Sequence, residues 1–161
     1  LHEGIKKISD KNFANYNEIM KLVESTYDIE KMIGMIIGKI WKTIGNKKQD
    51  EMKGVFIEYV AKNYIKRFSS IKNINFESKG HKEVGGKYIK IKTYLIVKDN
   101  KVEIEYLLSN MSGKWKIFDV LLAGSVSEVA TKKSEFYSLL KTGKIDPLIN
   151  ALKEKNIKLL N

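Results

Sequence analysis

The hydrophobic pattern of this chain changes its period near Ser70, and this change constrains the fold more than any other feature. Before Ser70 the apolar residues recur every three or four positions, as they do on helices. After it they alternate with polar residues, as they do on strands, and helical spacing returns near residue 126. The order helices, sheet, helices predicts an α+β fold with helices packed on one face of an antiparallel sheet.

Three helices are predicted before Ser70. The first is short and amphipathic, and its capping and apolar positions are Asp10, Asn12, Phe13, Tyr16, Met20 and Val23. The second spans residues 28–44 and is apolar on most sides, which predicts burial. Gly34 and Gly38 inside it predict a bend or the close approach of another group. The third helix spans about residues 50–68 and has a mostly aromatic face.

The middle of the chain predicts a curved antiparallel meander of about four strands, at residues 74–76, 88–97, 102–108 and 115–122. In the third strand Lys101, Glu103 and Glu105 share one face, which is predicted to meet solvent. The fourth strand is apolar on both faces and is predicted to be covered on both. Helices at about residues 126–140 and from Asp146 onward close the chain. We expect one domain over residues 1–161, with helical, sheet and helical parts at 1–70, 71–125 and 126–161.

The balance of charge indicates anionic partners. The chain has 30 Lys and Arg against 19 Asp and Glu, a net charge of +11. Nucleic acid, anionic lipid and acidic proteins all fit this charge. Arg67 is the only arginine, and base-edge recognition relies on the guanidinium group, so sequence-specific DNA binding is disfavoured. A compositional excess of lysine on solvated faces is an equally good explanation of the charge.

Several chemistries are excluded by what the sequence lacks. The chain contains no cysteine, which removes disulfides, thiolate metal sites and cysteine nucleophiles. The longest uncharged stretch of the helical part, residues 32–38, is far below the ~20 apolar residues of a membrane span, so we expect a soluble protein. The sequence begins at Leu1 without a signal-type hydrophobic segment, which predicts a processed or trimmed chain.

Few residues offer catalytic or metal-binding chemistry. His2 and His81 have no accompanying ligand motif, so we expect surface histidines and no metal site. Asp119 interrupts an apolar strand and is predicted to be buried. We favour an aspartate that accepts hydrogen bonds from backbone N–H or hydroxyl groups at the strand end. The alternative is an acid–base pair with Tyr94 or Tyr106.

The remaining feature is a set of large, deformable apolar side chains in the helices and the sheet. Its members are Met32, Ile36, Ile40, Trp41, Phe56, Tyr59, Tyr64, Ile104, Tyr106 and Trp115. Such residues normally form a packed core, and an internal ligand cavity is the second interpretation.

An ordered series of residues then spans most of the chain, from about Tyr27 to Lys155. Its members are Tyr27-Asp28-Ile29, Met32, Gly38-Lys39-Ile40-Trp41, Gln49, Phe56, Tyr64, the stretch 113–120 (GKWKIFDV), the stretch 124–127 (GSVS), the stretch 131–136 (TKKSEF), Gly143, Leu148-Ile149 and Leu152. This series resembles the MlaC, or toluene-tolerance, family of periplasmic phospholipid-binding proteins. The chain departs from the family pattern around Gly124 and at Lys133, where the family usually has arginine.

The resemblance implies an NTF2-like cone with added N- and C-terminal helices, enclosing an apolar cavity for phospholipid acyl tails. It implies a non-enzymatic periplasmic carrier, with no cofactor, that moves lipid between the outer and inner membranes and supports outer-membrane lipid asymmetry. The implied partners are an outer-membrane lipoprotein complex and an inner-membrane ABC transporter with an MCE-domain subunit. We expect a monomer that contacts membrane surfaces transiently and binds no nucleic acid.

From the apolar pattern and the resemblance together we expect the acyl tails to contact Met32, Ile36, Ile40, Phe56, Tyr59, Tyr64, Ile104, Tyr106, Trp115, Ile117 and Phe136. Lys132 and Lys133 are expected near the headgroup at the mouth. Two alternatives remain: an NTF2-like enzyme that uses Asp119 with a tyrosine, and a basic adaptor that binds RNA or acidic proteins through a lysine face.

Overall fold

The computed structural model describes residues 1–11, 15–111 and 113–159. Asn12, Phe13 and Ser112 lie outside these described residues. The elements are α1 (His2–Ser9), α2 (Tyr16–Thr26), α3 (Ile29–Ile37), α4 (Ile40–Thr43), α5 (Asn46–Phe68), β1 (Asn75–Val84), β2 (Tyr88–Val97), β3 (Asn100–Met111), β4 (Lys114–Leu122), β5 (Val126–Ser127), α6 (Glu128–Phe136), a short 3-10 helix (Tyr137–Leu140) and α7 (Asp146–Lys158).

The strands form one curved antiparallel sheet in the order β1-β2-β3-β4-β5, which confirms the predicted α+β fold. The prediction of about four strands missed β5, a two-residue strand that pairs with the end of β4. The prediction for β1 was also too short. β1 continues to Val84 and pairs with β2 along its length, but most of its side chains are exposed, so it lacks an alternating apolar signature.

The outer face of the sheet carries charged pairs across neighbouring strands. Lys92 Nζ lies 2.7 Å from a Glu103 carboxylate oxygen, and Lys90 Nζ lies 3.0 Å from one of Glu105. The prediction of a solvent-facing side holds for Lys101 and Glu103, whereas Glu105 is buried. The inner face presents Leu95, Ile104, Tyr106 and Ile117 to the helices, and all four belong to one continuous core.

The long helix α5 and the last helix α7 pack together in that core. Met52 and Ala61 of α5 and Leu148 and Leu152 of α7 are completely buried. A buried side-chain amide, Asn156, donates to the carbonyl of Val55 at 3.1 Å and joins the two helices at the level of the core. α5 begins at Asn46, about one turn earlier than the sequence pattern predicts.

An N-terminal helix was missed by the sequence analysis. α1 buries Ile5 and Ile8 against the rest of the core. Gly4 faces α2 so closely that a Cβ atom there would lie 2.5 Å from a methyl carbon of Leu22. Glycine therefore allows α1 to pack directly on α2.

The bend predicted within residues 28–44 is a complete break between α3 and α4. Gly38 has φ of 64° and ψ of −131°, a conformation that L-residues rarely adopt, and its N–H still closes the last turn of α3. Gly34 provides the predicted close approach, because the Trp41 ring lies 3.5 Å from the position of a Cβ there.

We expect Gly38→Ala to destabilise the protein by about 1–3 kcal/mol, because alanine is strained at this backbone conformation although the surrounding space is open. Urea unfolding followed by circular dichroism measures the change. The matched control is Gly54→Ala in the middle of α5, where the space is also open and the backbone is helical. This control should be stabilised by roughly 0.5–1 kcal/mol. Equal effects at the two sites would contradict the assigned break.

Candidate functional site

An apolar cavity of about 100 Å³ lies between α3, α5, α6 and β4, and we call it the helix cavity. Its apolar lining comprises Met32, Ile36, Phe56, Tyr59, Val60, Val120 and Val129. The lining follows from helix geometry, because Phe56, Tyr59, Val60 and Tyr64 recur three and four residues apart on one side of α5.

Charged side chains line the helix cavity where it meets solvent. Arg67 on α5 and Glu128 on α6 form an ion pair across it, with 2.8 Å between Nη2 and Oε1. Lys132 also lines the cavity. Its ammonium group lies 3.0 Å from a Glu135 oxygen and 5.6 Å from the centre of the Tyr59 ring. These groups give the apolar cavity a polar mouth.

A second space, the sheet hollow, lies under the inner face of β1 to β4 and measures about 370 Å³. The beginning of α1 and the end of α2 close its other side. Its lining comprises Leu1, His2, Ser25, Thr26, Ser78, Ile91, Thr93, Tyr106, Leu108, Trp115 and Ile117.

A continuous series of aromatic rings connects the linings of the two spaces. It consists of Tyr27, Tyr64, Phe68, Phe76, His2 and Tyr106, and we call it the aromatic series. The Tyr27 and Tyr64 hydroxyls hydrogen-bond each other, and the Tyr64 ring stacks on Phe68 with 5.6 Å between centroids. Phe68 meets Phe76 edge-on, and Phe76 stacks on His2 at 3.9 Å. The His2 Nε2 atom lies 3.0 Å from the Tyr106 hydroxyl oxygen.

The ionisable groups of the aromatic series are neutral at neutral pH. Burial raises the pKa of Tyr64 to about 12 and raises the pKa of Tyr27 and of Tyr106 well above the ordinary value. Burial lowers the pKa of His2 to about 4. The prediction of surface histidines holds for His81, which is exposed, whereas His2 is half-buried against Phe76 and Tyr106. Neutral aromatic groups between the two spaces suit an apolar ligand.

The structure divides the residues predicted to contact ligand into three groups. Those in the helix cavity are Met32, Ile36, Phe56, Tyr59, Tyr64 and Lys132. Those in the sheet hollow are Tyr106, Trp115 and Ile117. The residues that line neither space are Ile40, Ile104 and Phe136, which belong to the core or pack against it, and Lys133, which is exposed.

Sequence reasoning named Lys132 for the mouth but missed three other polar residues there. Asn63 and Arg67 lie on α5 at the spacing that also places Tyr59 and Tyr64, so helical periodicity carried a signal for them. Glu128 gave no such signal, because acidic residues are common in the first turn of a helix.

Asp119 is buried and its carboxylate is fully engaged in hydrogen bonds. Oδ1 accepts from the N–H groups of Val120 at 2.8 Å and Val129 at 3.1 Å, and Oδ2 accepts from the Ser127 hydroxyl at 2.6 Å. The favoured interpretation of Asp119 is therefore correct. The tyrosines considered as its partners bond elsewhere, since Tyr94 donates to Glu103 on the outer face and the Tyr106 hydroxyl pairs with His2.

The part of the chain that the structure describes holds neither a metal-binding cluster nor a membrane-spanning helix. No group of three or more histidine, aspartate or glutamate side chains in residues 1–11, 15–111 and 113–159 is placed to hold a metal ion. No helix in that part of the chain is long and apolar enough to cross a membrane.

Comparison with known families gives a match to the MlaC protein family over residues 1–154. The chain belongs to the MlaC family. A solved structure similar to this MlaC chain is that of the phospholipid-binding protein from Ralstonia solanacearum in complex with a phospholipid. The TM-score is 0.83 at 17% sequence identity, and the alignment covers 98% of this chain and 93% of the other. A comparison with curated proteins gives no match.

These comparisons confirm two predictions, the resemblance and the NTF2-like fold class. The family also indicates a binding or transport protein. Neither oxygen of Asp119 pairs with a tyrosine, which is the contact that the enzyme alternative requires.

We expect Asp119→Ala to destabilise this MlaC protein by about 2–4 kcal/mol, because it leaves the Val129 N–H and the Ser127 hydroxyl without their buried charged acceptor. Asp99→Ala, in the exposed turn between β2 and β3, is the control and should change stability by less than about 0.5 kcal/mol. Denaturant midpoints of the two variants test this expectation. An Asp119→Ala variant as stable as the control would show that the carboxylate is dispensable.

His2 should make stability depend on pH below neutrality. Its pKa is about 4 in the folded protein and near 6.5 in an unfolded chain. The folded state thus favours neutral His2, so its contribution is complete above pH 6.5 and declines as the pH falls towards 4. We expect His2→Gln to lose less stability than the parent protein between pH 7 and pH 5, measured by urea unfolding. His81→Gln is the control and should behave like the parent protein.

Proposed function

We propose that this MlaC protein is a phospholipid carrier that holds acyl tails in its interior while the headgroup stays at the charged mouth. The helix cavity carries this proposal, because methionine, isoleucine, valine and aromatic side chains enclose it and Arg67, Glu128 and Lys132 surround its opening. An apolar space with a polar entrance is complementary to an amphipathic ligand. Flexible methionine at position 32 suits tails of different shapes.

The free energy of hydrocarbon transfer explains why such a carrier is needed. Two acyl tails contain roughly 30 methylene and methyl groups, and at ~0.8 kcal/mol each their exposure to water costs on the order of 20 kcal/mol. Contacts with Ile36, Phe56 and Val60 replace contacts with the bilayer interior. Because the two environments are nearly equivalent, both loading and release are accessible.

The proposed loading requires rearrangement, because the helix cavity is too small for two acyl tails. A cavity of ~150 Å³ accommodates benzene, so about 30 tail carbons need on the order of 700 Å³. The helix cavity provides about 100 Å³ and the sheet hollow about 370 Å³. We infer that the elements around the helix cavity separate on binding and that its volume merges with that of the sheet hollow. The aromatic series lies on the path between them.

The phospholipid bound to the similar Ralstonia solanacearum structure supports this proposal, as does membership of the MlaC family. On the same grounds we propose a single lipid-binding domain, a periplasmic location and lipid movement between the outer and inner membranes. The proposed partners are an outer-membrane lipoprotein complex and an inner-membrane ABC transporter with an MCE-domain subunit. We propose a monomer that touches membranes transiently and maintains outer-membrane lipid asymmetry.

Native mass spectrometry of freshly purified protein, followed by organic extraction, tests this function. We expect phospholipid to co-purify at close to one molecule per chain, because an apolar ligand of this size leaves the interior slowly in the absence of an acceptor membrane. Protein that carries no lipid and takes none up from vesicles would refute the carrier.

Filling the helix cavity should lower lipid occupancy. We expect Val60→Trp to reduce co-purified phospholipid at least threefold, because the indole ring occupies space between α5 and α6 that a tail would use. The matched control is Val102→Trp, at a half-exposed position on β3, which should keep the parent occupancy. Circular dichroism and urea unfolding establish that both variants fold. A folded Val60→Trp variant with unchanged occupancy would remove the helix cavity from the proposed binding site.

A further inference from the structure

Two neighbouring hairpin turns expose large apolar side chains at one end of the sheet. Val84 and Tyr88 flank the β1–β2 turn, and Met111 and Trp115 flank the β3–β4 turn. They are 36–46% exposed, and they make up four of the nine exposed large apolar side chains among the described residues. The turns are adjacent because Tyr88 pairs with Ser109 across β2 and β3. We call this region, together with Lys87 and Lys114, the hairpin-tip surface.

The hairpin-tip surface carries exposed lysines that take part in no ion pair among the described residues. Lys87 in the β1–β2 turn and Lys114 at the start of β4 are exposed, and Lys82 is exposed on β1. In residues 1–11, 15–111 and 113–159 no ion pair involves these three lysines. The nearby carboxylates on and beside the sheet end are Glu83, which is exposed, and Asp28, which is buried and caps α3. Glu24, Glu30 and Asp50 line a groove that Met111 and Lys114 also border, and Glu30 and Asp50 pair there with Lys53.

A groove runs between the two turns and the beginning of α3. Lys31 lies in it, with its ammonium group 4.5 Å from the centre of the Tyr88 ring and 4.0 Å from that of Phe118. Trp115 lines both this groove and the sheet hollow. The exposed groove therefore adjoins one of the two internal spaces at Trp115.

We propose that the hairpin-tip surface docks on an anionic phospholipid bilayer, which places the sheet hollow next to the membrane during lipid exchange. This inference rests on the proposed carrier function and names the surface through which the carrier meets its lipid source. Tryptophan and tyrosine rings favour the headgroup region of a bilayer, where an apolar body and a polar atom are both accommodated. Lysines beside them add attraction to anionic lipids. A surface that carries both exposed aromatic rings and lysines matches the apolar interior and the negative charge of an anionic bilayer.

Vesicle co-sedimentation tests the charges. The parent protein should bind vesicles of phosphatidylglycerol and phosphatidylcholine at least tenfold more tightly than vesicles of phosphatidylcholine alone. The double variant Lys87→Glu, Lys114→Glu should lose about tenfold or more of this binding. The control Lys141→Glu, Lys144→Glu has the same change in net charge and should lose less than threefold. Equal losses in the two double variants, or no binding of the parent protein to anionic vesicles, would overturn the proposal.

Tryptophan fluorescence tests the geometry. In the variant Trp41→Phe, Trp115 is the remaining tryptophan, so its emission should shift to the blue and be quenched by brominated lipid in anionic vesicles. The double variant Tyr88→Ser, Met111→Ser should weaken vesicle binding at least threefold. Its control, Tyr137→Ser with Ile157→Ser, removes two more exposed apolar groups elsewhere and should not. Unquenched Trp115 on protein that is bound to vesicles would place the docking surface elsewhere and overturn the proposal.

Lipid content separates this proposal from the carrier function. Extraction should find the same phospholipid occupancy in the Lys87→Glu, Lys114→Glu variant as in the parent protein, because neither lysine lines the helix cavity or the sheet hollow. Lipid-free parent protein that still binds anionic vesicles through these lysines supports the docking surface and refutes the carrier. A different outcome is that the protein binds polyglutamate through these lysines and does not bind anionic vesicles. That result would assign the surface to an acidic protein and overturn the docking proposal.

Discussion

The buried carboxylate of Asp119 fastens α6 to β4, and the helix cavity depends on this attachment. Its two oxygens accept from the Val129 N–H and the Ser127 hydroxyl, while the Ser127 oxygen accepts from the Ala130 N–H, so the first turn of α6 is satisfied by the strand end. On the opposite side, the Asp28 N–H donates to the Ile117 carbonyl of β4 at 2.8 Å and its side chain caps α3. The helices that face each other across the cavity are therefore held at their N-terminal ends by polar contacts outside it. The apolar groups inside it are left to contact a ligand.

The sequence predicted the main helices and strands of this fold better than it predicted the elements at the edge of the sheet and at the N-terminus. The alternation in β2 and β3 and the periodicity of α5 reflect burial on one face, so both were visible. β1 was mostly missed because nearly all of its side chains are exposed, and burial is what produces an alternating pattern. α1 was missed because its contact with α2 depends on Gly4, whose role appears only when Leu22 is placed against it. For the candidate site, periodicity identified residues on the apolar side of α5, but it did not separate the lining of a cavity from the core. Ile104 has the same alternating pattern as Tyr106 and yet lines neither space. That separation depends on how far apart the helices and the sheet lie, which no local pattern encodes.

The aromatic series gives the interior polar atoms without giving it charge. Three tyrosine hydroxyls and one imidazole lie among apolar groups, and burial holds all of them in their neutral forms. The Tyr27–Tyr64 and His2–Tyr106 hydrogen bonds satisfy these atoms in pairs, so each pair avoids the cost of a buried unpaired polar group. In the proposed lipid-loaded state these pairs separate to admit hydrocarbon, which removes that compensation. The hydrogen bonds therefore stabilise the compact arrangement in the absence of ligand, and the transfer of tails from water must exceed their combined contribution of about 1–3 kcal/mol.

A balance of this size is appropriate for a carrier that must also release its ligand. The figure of ~20 kcal/mol is the free energy of transferring the tails from water to an apolar environment. A carrier exchanges lipid with a bilayer, and the free-energy difference between those two apolar environments is nearly zero. The hydrogen bonds and packing of the compact state are then the main terms that favour release, and a few kcal/mol is enough to decide the direction. Contact with a bilayer changes the reference state for the tails from water to hydrocarbon. Trp115 lines both the exposed groove and the sheet hollow, so the hollow lies beside the surface that is proposed to meet the bilayer. An internal space that opens beside a membrane allows the tails to pass between two apolar environments without crossing water.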